Sequence, residues 1–478
     1  MQVTARSQTL LVAVGQVTGS LVGLVTVAWL ARVMPATELG KYLYFVAAAA
    51  AIEGLSDLGL RLHGVAKLSA ADSSGRRLDI LNALWRLKLA LSAITTLVLL
   101  AATAIGWIQY ADSYTALVLS LVAVTLPSSS PAVWDVRARG MQWLEAALLV
   151  VYRLLMLGAV ALLASSAPDA STLLVALLVT NVSFMVMLLA TRDLWSKDAA
   201  RPARERVNHF ALLRSAAPLG GSLLVAQVAP RVWILLLATV SGSEDVAVFS
   251  VAAAVVQTVL LVSVAAGAAY LPVLGRLAQG SPSDFRFVAG RLLDTMAMIG
   301  TAAAVGMALS AAGVMPVVFG DRLRGSATIL VTLSLLPPMM LVSFTSRIIL
   351  SAAGAGRADL IATLSGLGAG LLLAWILMPW LGLWAMVAGY VASEVTTGGL
   401  KLAALGRLSV INTSCVTSCV ARCLPALLTA VAIGGALDRA GASLGAGIGA
   451  ALCGVALYTS MLFSIPSIRS RGLRGLLP

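Results

Sequence analysis

The stretch QTLLVAVGQVTGSLVGLVTVAWLA, from Gln8 to Ala31, contains no charged residue. A bilayer core takes about 20 residues of α-helix to cross, so this run is long enough to span one. A secretory signal has a shorter apolar region, about 7 to 15 residues, and here further apolar runs follow at once. Gln8 to Ala31 therefore reads as a retained first membrane span. Gly15, Gly19 and Gly23 recur in it at every fourth position, a flat strip on which a neighbouring backbone can approach closely.

The rest of the chain repeats that pattern. Of its 478 residues 60% are hydrophobic and 11% charged, against about a quarter charged in soluble domains. Too few polar residues remain to cover a water-facing surface, so the apolar surplus must face lipid. Apolar stretches begin near Gln8, Lys41, Leu84, Tyr114, Met141, Ser171, Phe210, Asp245, Val288, Ala327, Ala358, Leu381, Thr417 and Ala442. The expected fold is all-α and polytopic, with about fourteen transmembrane helices.

The net charge of +13 does not point to nucleic acid, because the Lys and Arg residues lie between apolar runs rather than on one amphipathic face. Topology explains them. Placing alternate connections on opposite sides collects Arg6, Arg61, Lys67, Arg76, Arg77, Arg86, Lys88, Arg137, Arg139, the Arg192 to Arg214 group, Arg276, Arg286, Arg291, Arg347, Arg357, Lys401, Arg407, Arg422 and the last three Arg residues on one side. The other side receives Arg32, Lys41, Arg322, Arg324 and Arg439. This bias, about five to one, predicts cytoplasmic termini.

No connection is long enough for a soluble domain, so function must sit in the helices. The charged stretch 192–209, with Pro202, reads as a cytoplasmic linker between six-helix lobes at 1–191 and 210–404. Two extra helices and a basic tail occupy 405–478. Gly19-Ser20-Leu21-Val22 followed by Val46-Ala47-Ala48-Ala49 is echoed by Gly221-Ser222-Leu223-Leu224 and Val251-Ala252-Ala253-Ala254. In so Ala-, Val- and Leu-rich a chain this echo does not decide between duplication and chance.

Charges inside spans are the sharpest functional signal, since each costs about 2.5 to 3.5 kcal/mol at a helix centre. Glu53, Asp57 and Arg61 stand at successive fourth positions and are expected along one face of span 2. They form either a local salt-bridge ladder or an acidic site for a proton or cation. Arg153 and Arg231 lie deep in spans 5 and 7. They suit an anionic ligand, because guanidinium offers a planar fork of donors to phosphate, or they neutralise Glu53 and Asp57 across helices. Glu145, Asp294 and Glu394 are expected nearer the span ends. Pro218 and Pro230 in span 7 and Pro337-Pro338 in span 10 remove backbone donors inside apolar helices, as static kinks or as hinges. Cys415, Cys419 and Cys423 share a helical face, but no His or carboxylate stands close in sequence, so packing is expected rather than a metal site. No phosphate-binding loop or metal motif argues for catalysis, and no cofactor is expected.

Local sequence marks run the length of the chain: Ala31-Arg32-Val33-Met34-Pro35 before Glu38-Leu39-Gly40-Lys41-Tyr42, then Ser56-Asp57-Leu58-Gly59-Leu60, Ala217-Pro218-Leu219, Leu271-Pro272-Val273-Leu274 and Val318-Phe319-Gly320. In order and spacing they resemble the polysaccharide and oligosaccharide-lipid flippases of the multidrug/oligosaccharidyl-lipid/polysaccharide exporter superfamily. The resemblance implies two pseudo-symmetric six-helix lobes around a central cavity, two C-terminal helices and alternating access. It implies a polyprenyl-diphosphate-linked saccharide as cargo in a bacterial plasma membrane, with membrane lipids and polysaccharide assembly proteins as partners. Arg153 and Arg231 would then meet the diphosphate and sugar, with Arg61 at the cytoplasmic mouth. Span 7 departs from its relatives, with Arg231-Val232-Trp233 where an acidic residue often follows a basic one, which leaves Asp57 as the better coupling candidate. A drug or metabolite antiporter of the same superfamily and a membrane-embedded saccharide polymerase or ligase are the alternatives. The first is expected to have twelve spans and an acidic cavity, the second a long outer loop.

Overall fold

The computed structural model describes residues 5–58, 60–71, 73–104, 112–128, 130–164, 169–190, 209–410 and 413–463. Among these there is no strand. In chain order the helices are α1 (Ala5–Val33), α2 (Ala36–Asp57), α3 (Leu60–Ser69), α4 (Ser74–Ala104), α5 (Ser113–Ser128), α6 (Ser130–Ala138), α7 (Gln142–Ala164), α8 (Ala170–Ala190) and α9 (His209–Val240). They continue as α10 (Ser243–Gln257), α11 (Leu260–Gly280), α12 (Pro282–Phe319), α13 (Gly325–Leu333), α14 (Leu336–Ala352), α15 (Gly356–Leu381), α16 (Leu383–Arg407), α17 (Thr413–Arg439) and α18 (Leu444–Phe463). Every expected span start falls in a helix or within two residues of one. By length and apolarity alone, eight described helical segments can cross a membrane, or nine if the bent pair α13–α14 is one span. Fourteen remains the count expected from the sequence.

The described chain forms two compact units, Met1–Ala247 and Val248–Pro478. In the first, α1 packs along α7, α7 on α8, and α2 against α4, α5, α8 and α9. The glycine strip acts as expected: a Cβ on Gly15 would stand 2.8 Å from the Ala146 Cα, so only glycine lets α1 and α7 approach this closely. Leu60, Leu68, Ile80, Leu81, Leu84 and Trp134 form one core between α3, α4 and α6. The linker expected at 192–209 lies, apart from His209, outside the described residues. Helix α9, expected to open the second lobe, belongs to the first unit, with Gly54 of α2 meeting Val228 and Gln227.

In the second unit α12, with 38 residues, is the central rod; α11, α13, α14, α17 and α18 pack against it. α15 and α16 form a tight hairpin, where a Cβ on Gly366 would lie 2.7 Å from the Ser393 carbonyl oxygen. Its turn uses Gly382 at φ 51, a region glycine enters without steric cost.

Large apolar side chains cover the outer faces: Val14, Leu21 and Val25 on α1, Ile94, Leu97 and Val98 on α4, and Ile361, Leu364, Leu372 and Trp375 on α15 are exposed. A soluble monomer does not present such continuous patches, and a bilayer is the solvent that makes them favourable.

Two expectations need correction here. Glu53, Asp57 and Arg61 do not share one helix: α2 ends at Asp57, Leu58 turns left-handed at φ 39, and Arg61 lies in α3. The fourth-residue spacing implies a shared face only while the helix continues, and it does not. Pro337 and Pro338 do not interrupt a helix interior. They stand in the first turn of α14, just after a 45° bend from α13, where the N–H groups they lack would have had no intrahelical acceptor. Pro218 and Pro230, by contrast, lie within the unbroken run of α9.

Candidate functional site

The first unit gathers charge around the end of α2. Asp57 is buried, and its Oδ1 accepts the backbone N–H of Arg61 at 3.2 Å. The same oxygen is 3.6 Å from the Nζ of Lys88 on α4, whose side chain is 2% exposed. The Lys88 ammonium in turn sits 5.5 Å from the centre of the Trp134 ring on α6, a cation–π contact in a dry setting. Asp57 thus ties the start of α3 to α4 across the break after α2. Glu53, one turn earlier, feels the charges of Lys88, Asp57, Arg61 and Arg153.

Arg153 lies at the middle of α7. Its stem and guanidinium rest on the glycine strip of α1: Cβ atoms on Gly19 and Gly23 would stand 3.5 Å from its Cγ and from one of its terminal nitrogens. Ala146 and Val160, two turns before and after it on the same face of α7, are both buried, yet Arg153 is exposed. A guanidinium so far from either helix end cannot snorkel to the interface, and facing hydrocarbon is costly, so Arg153 calls for water or a polar partner at this depth. Tyr152, next in the chain, places its ring centre 6.0 Å from the Arg153 guanidinium and donates its hydroxyl to Asn181 Oδ1 on α8 at 2.9 Å. Tyr42 of α2 lies within electrostatic reach of both Tyr152 and Arg153.

Arg231 sits one turn beyond Gln227 on α9, the helix face that packs on Gly54 beside Glu53, and is half-buried. The expected site residues Glu53, Asp57, Arg61, Arg153 and Arg231 are thus all on the first unit. Side chains of Pro218, His63, Cys415, Cys419 and Cys423 fall outside the described ones. Among the described residues no group of His, Cys, Asp or Glu could hold a metal ion.

Sequence reasoning missed the lysines. Lys88 and Lys401 count there as span-end charges, whereas the structure buries both inside helices. Lys401 of α16 is fully buried, 2.7 Å from Asp359 Oδ1 on α15, while Arg347 of α14 holds the other Asp359 oxygen at 3.0 Å. Glu394 of α16 joins this group electrostatically rather than standing at an interface. Glu145 is likewise buried, paired with Arg137. Helical phase could have revealed Lys88: exposed Arg86 is two residues away, about 200° around the helix, so one of the two must point inward. Glu394 and Lys401, seven residues apart, share a face for the same reason.

Solved structures share this fold. An inward-facing multidrug resistance MATE family transporter of the MOP superfamily has a TM-score of 0.62 at 17% identity, over 84% of this chain and 96% of that one. The lipid II flippase MurJ, inward closed, has a TM-score of 0.62 at 11% identity, over 95% and 99%. An outward-facing MATE transporter gives 0.56 at 16% identity, over 87% and 98%. No curated protein matches the chain in sequence. Apolar outer faces around inward-turned charges, in this helix arrangement, define a multi-pass membrane protein with the fold of MOP-superfamily transporters. Within that class the family is specific: the sequence model described as polysaccharide biosynthesis protein matches residues 6–278, more than half of the chain, and the chain belongs to that family.

Proposed function

We propose that this protein is a flippase carrying a polyprenyl-diphosphate-linked oligosaccharide from the cytoplasmic to the outer leaflet of a bacterial plasma membrane for cell-surface polysaccharide assembly. The observation that supports it best is Arg153, exposed at mid-helix with its side chain lying along the glycine strip of α1. A permanent cation at membrane depth suits an anionic headgroup whose lipid tail stays in the bilayer. Membership of a polysaccharide biosynthesis family and likeness to a lipid II flippase point the same way. In this reading Arg231 and Arg61 are further contacts for the diphosphate and sugar. Six-helix lobes at 1–191 and 210–404, joined by 192–209 and followed by 405–478, alternate in access with both termini in the cytoplasm. Pro218, Pro230, Pro337 and Pro338 are the hinge positions. Asp57 and Glu53 couple transport to a proton or cation, which at Asp57 must compete with Lys88.

The test uses the full chain in liposomes with a fluorescent polyprenyl-diphosphate saccharide. Wild type should flip it, and Arg153→Ala and Arg231→Ala should each slow flipping by about ten-fold or more, the loss of a charge-assisted hydrogen bond. Movement of a soluble drug or cation, with several lipid-linked saccharides left unmoved, would replace the flippase by the antiporter.

A further inference from the structure

Asn181 stands out among the polar groups of the first unit. It lies inside α8, is 3% exposed, and its Nδ2 has no hydrogen-bond partner, although its Oδ1 accepts from Tyr152. In this arrangement the Tyr152 hydroxyl proton is turned toward Oδ1 and the two N–H groups of the amide lie on the other side. A buried amide donor left unmet at membrane depth is unfavourable, and such groups usually have an acceptor in the functional state of the protein. Tyr152 is also set against Phe184, edge to face at 5.2 Å, so its ring is held as well as its hydroxyl. The Arg153 guanidinium lies 6.0 Å from the centre of the same ring. Along one short path the first unit thus offers a fixed cation, an aromatic ring, a hydroxyl and an unmet amide donor.

We propose that Tyr152 and Asn181 form a saccharide-reading arm, in which Asn181 Nδ2 donates to a hydroxyl or acetamido oxygen of the sugar nearest the diphosphate. This rests on the flippase reading and deepens it: Arg153 takes the anion, and the arm decides which head group is accepted. The chemistry separates the two tasks. A charge binds any diphosphate, whereas a buried donor discriminates strongly against a ligand that cannot supply an acceptor, because the donor is then left unpaired. An aromatic ring beside such a donor suits the apolar face of a pyranose, which has polar edges and C–H faces.

The experiment measures binding of two probes to the full chain in nanodiscs: a polyprenyl diphosphate bearing one N-acetylhexosamine, and the same lipid diphosphate without sugar. Wild type should prefer the sugar-bearing lipid by roughly ten-fold or more. Asn181→Leu and the gentler Tyr152→Phe should bring that preference close to one and leave the sugar-free affinity within about two-fold, while Arg153→Ala weakens both probes. Because Tyr152→Phe keeps the ring and its packing, it remains informative if Asn181→Leu fails to fold. An unchanged preference in Tyr152→Phe, or equal weakening of both probes, overturns the arm and makes the pair a packing feature. Equal binding of both probes by wild type overturns the arm alone, whereas binding of neither overturns the flippase reading with it.

Discussion

Replacing Lys88 by Met keeps most of the side-chain volume and removes the charge that faces Asp57. The two side chains are 2% and 9% exposed, so solvent screens them little. At 3.6 Å and an effective dielectric of about 20, their attraction is about 4 to 5 kcal/mol. Removing one partner of a buried pair typically costs about 3 to 5 kcal/mol, most of it the penalty of the charge left behind. Asp57 keeps the Arg61 backbone N–H as a donor, which places the expected loss near the lower figure, about 3 kcal/mol. Adding Asp57→Asn removes the stranded charge and retains an oxygen for the Arg61 N–H, so the double variant should recover to within about 1 kcal/mol of wild type. Unfolding in mixed micelles titrated with dodecyl sulfate reads all four corners of this cycle. A loss below about 1 kcal/mol for Lys88→Met, or a double variant no more stable than Lys88→Met, would refute the pair as the clasp between α3 and α4.

Three further outcomes follow from the packing and the charges. Gly15→Leu should lower stability by about 1 to 3 kcal/mol in the same dodecyl sulfate titration, since its side chain would enter the Ala146 backbone; Gly158→Leu on α7, where a Cβ meets nothing within 4 Å, should be neutral there, and equal effects would undo the strip. In the second unit Asp359→Asn should destabilise more than Lys401→Met, because the first strands the buried Lys401 and the half-buried Arg347 while the second leaves Asp359 with Arg347; the reverse order in a melting series contradicts this. Asp112 accepts the Thr115 N–H at 2.8 Å at the start of α5, and the hydrogen bonds from Thr115 hold its carboxyl below the usual carboxylate range. Its folded value is thus below the unfolded one, about 3.9, so its contribution is present at neutral pH and fades as pH falls through the folded value. Asp112→Asn, which caps nearly as well, should be about as stable as wild type at pH 7 and gain on it below about pH 4; melting curves whose separation does not change with pH would exclude this.

The sequence reading reached the architecture because apolar length and charge spacing are one-dimensional quantities. Gln8 to Ala31 and its successors declare themselves helix by helix, and the glycine strip of α1 declares its packing. It reached the charged residues of α2 as well, but took their spacing for a continuous face. The left-handed Leu58 has no sequence signature, since a branched side chain is among the less suited residues for that conformation and only tertiary contacts can hold it there. The break before Pro337-Pro338 does have a sequence signal, since helices usually end before a proline and begin with one in the first turn, but the long apolar run around the pair reads as one continuous span. The partnerships of Lys88 with Asp57, and of Lys401 with Asp359 and Arg347, join residues from separate helices, and one sequence does not say which helices are neighbours.

Two of the helices that carry the charged sites do not pass a simple test of length and apolarity. α2, with Glu53 and Asp57, and α16, with Glu394 and Lys401, are absent from the segments that pass it. Hydropathy scores a helix as though all of its faces met lipid, while these two present polar positions to other helices and stand among the better-buried elements of their units. α7 shows the converse: it passes the test with one deep cation, because the rest of its surface is apolar enough to hide Arg153 in the average. A low hydropathy in an otherwise membrane-embedded chain is therefore evidence for an inward-facing helix as much as for a loop. In this protein that inverted reading leads to the ends of α2 and α16, and the Asp57–Lys88 and Asp359–Lys401 contacts are what it finds there.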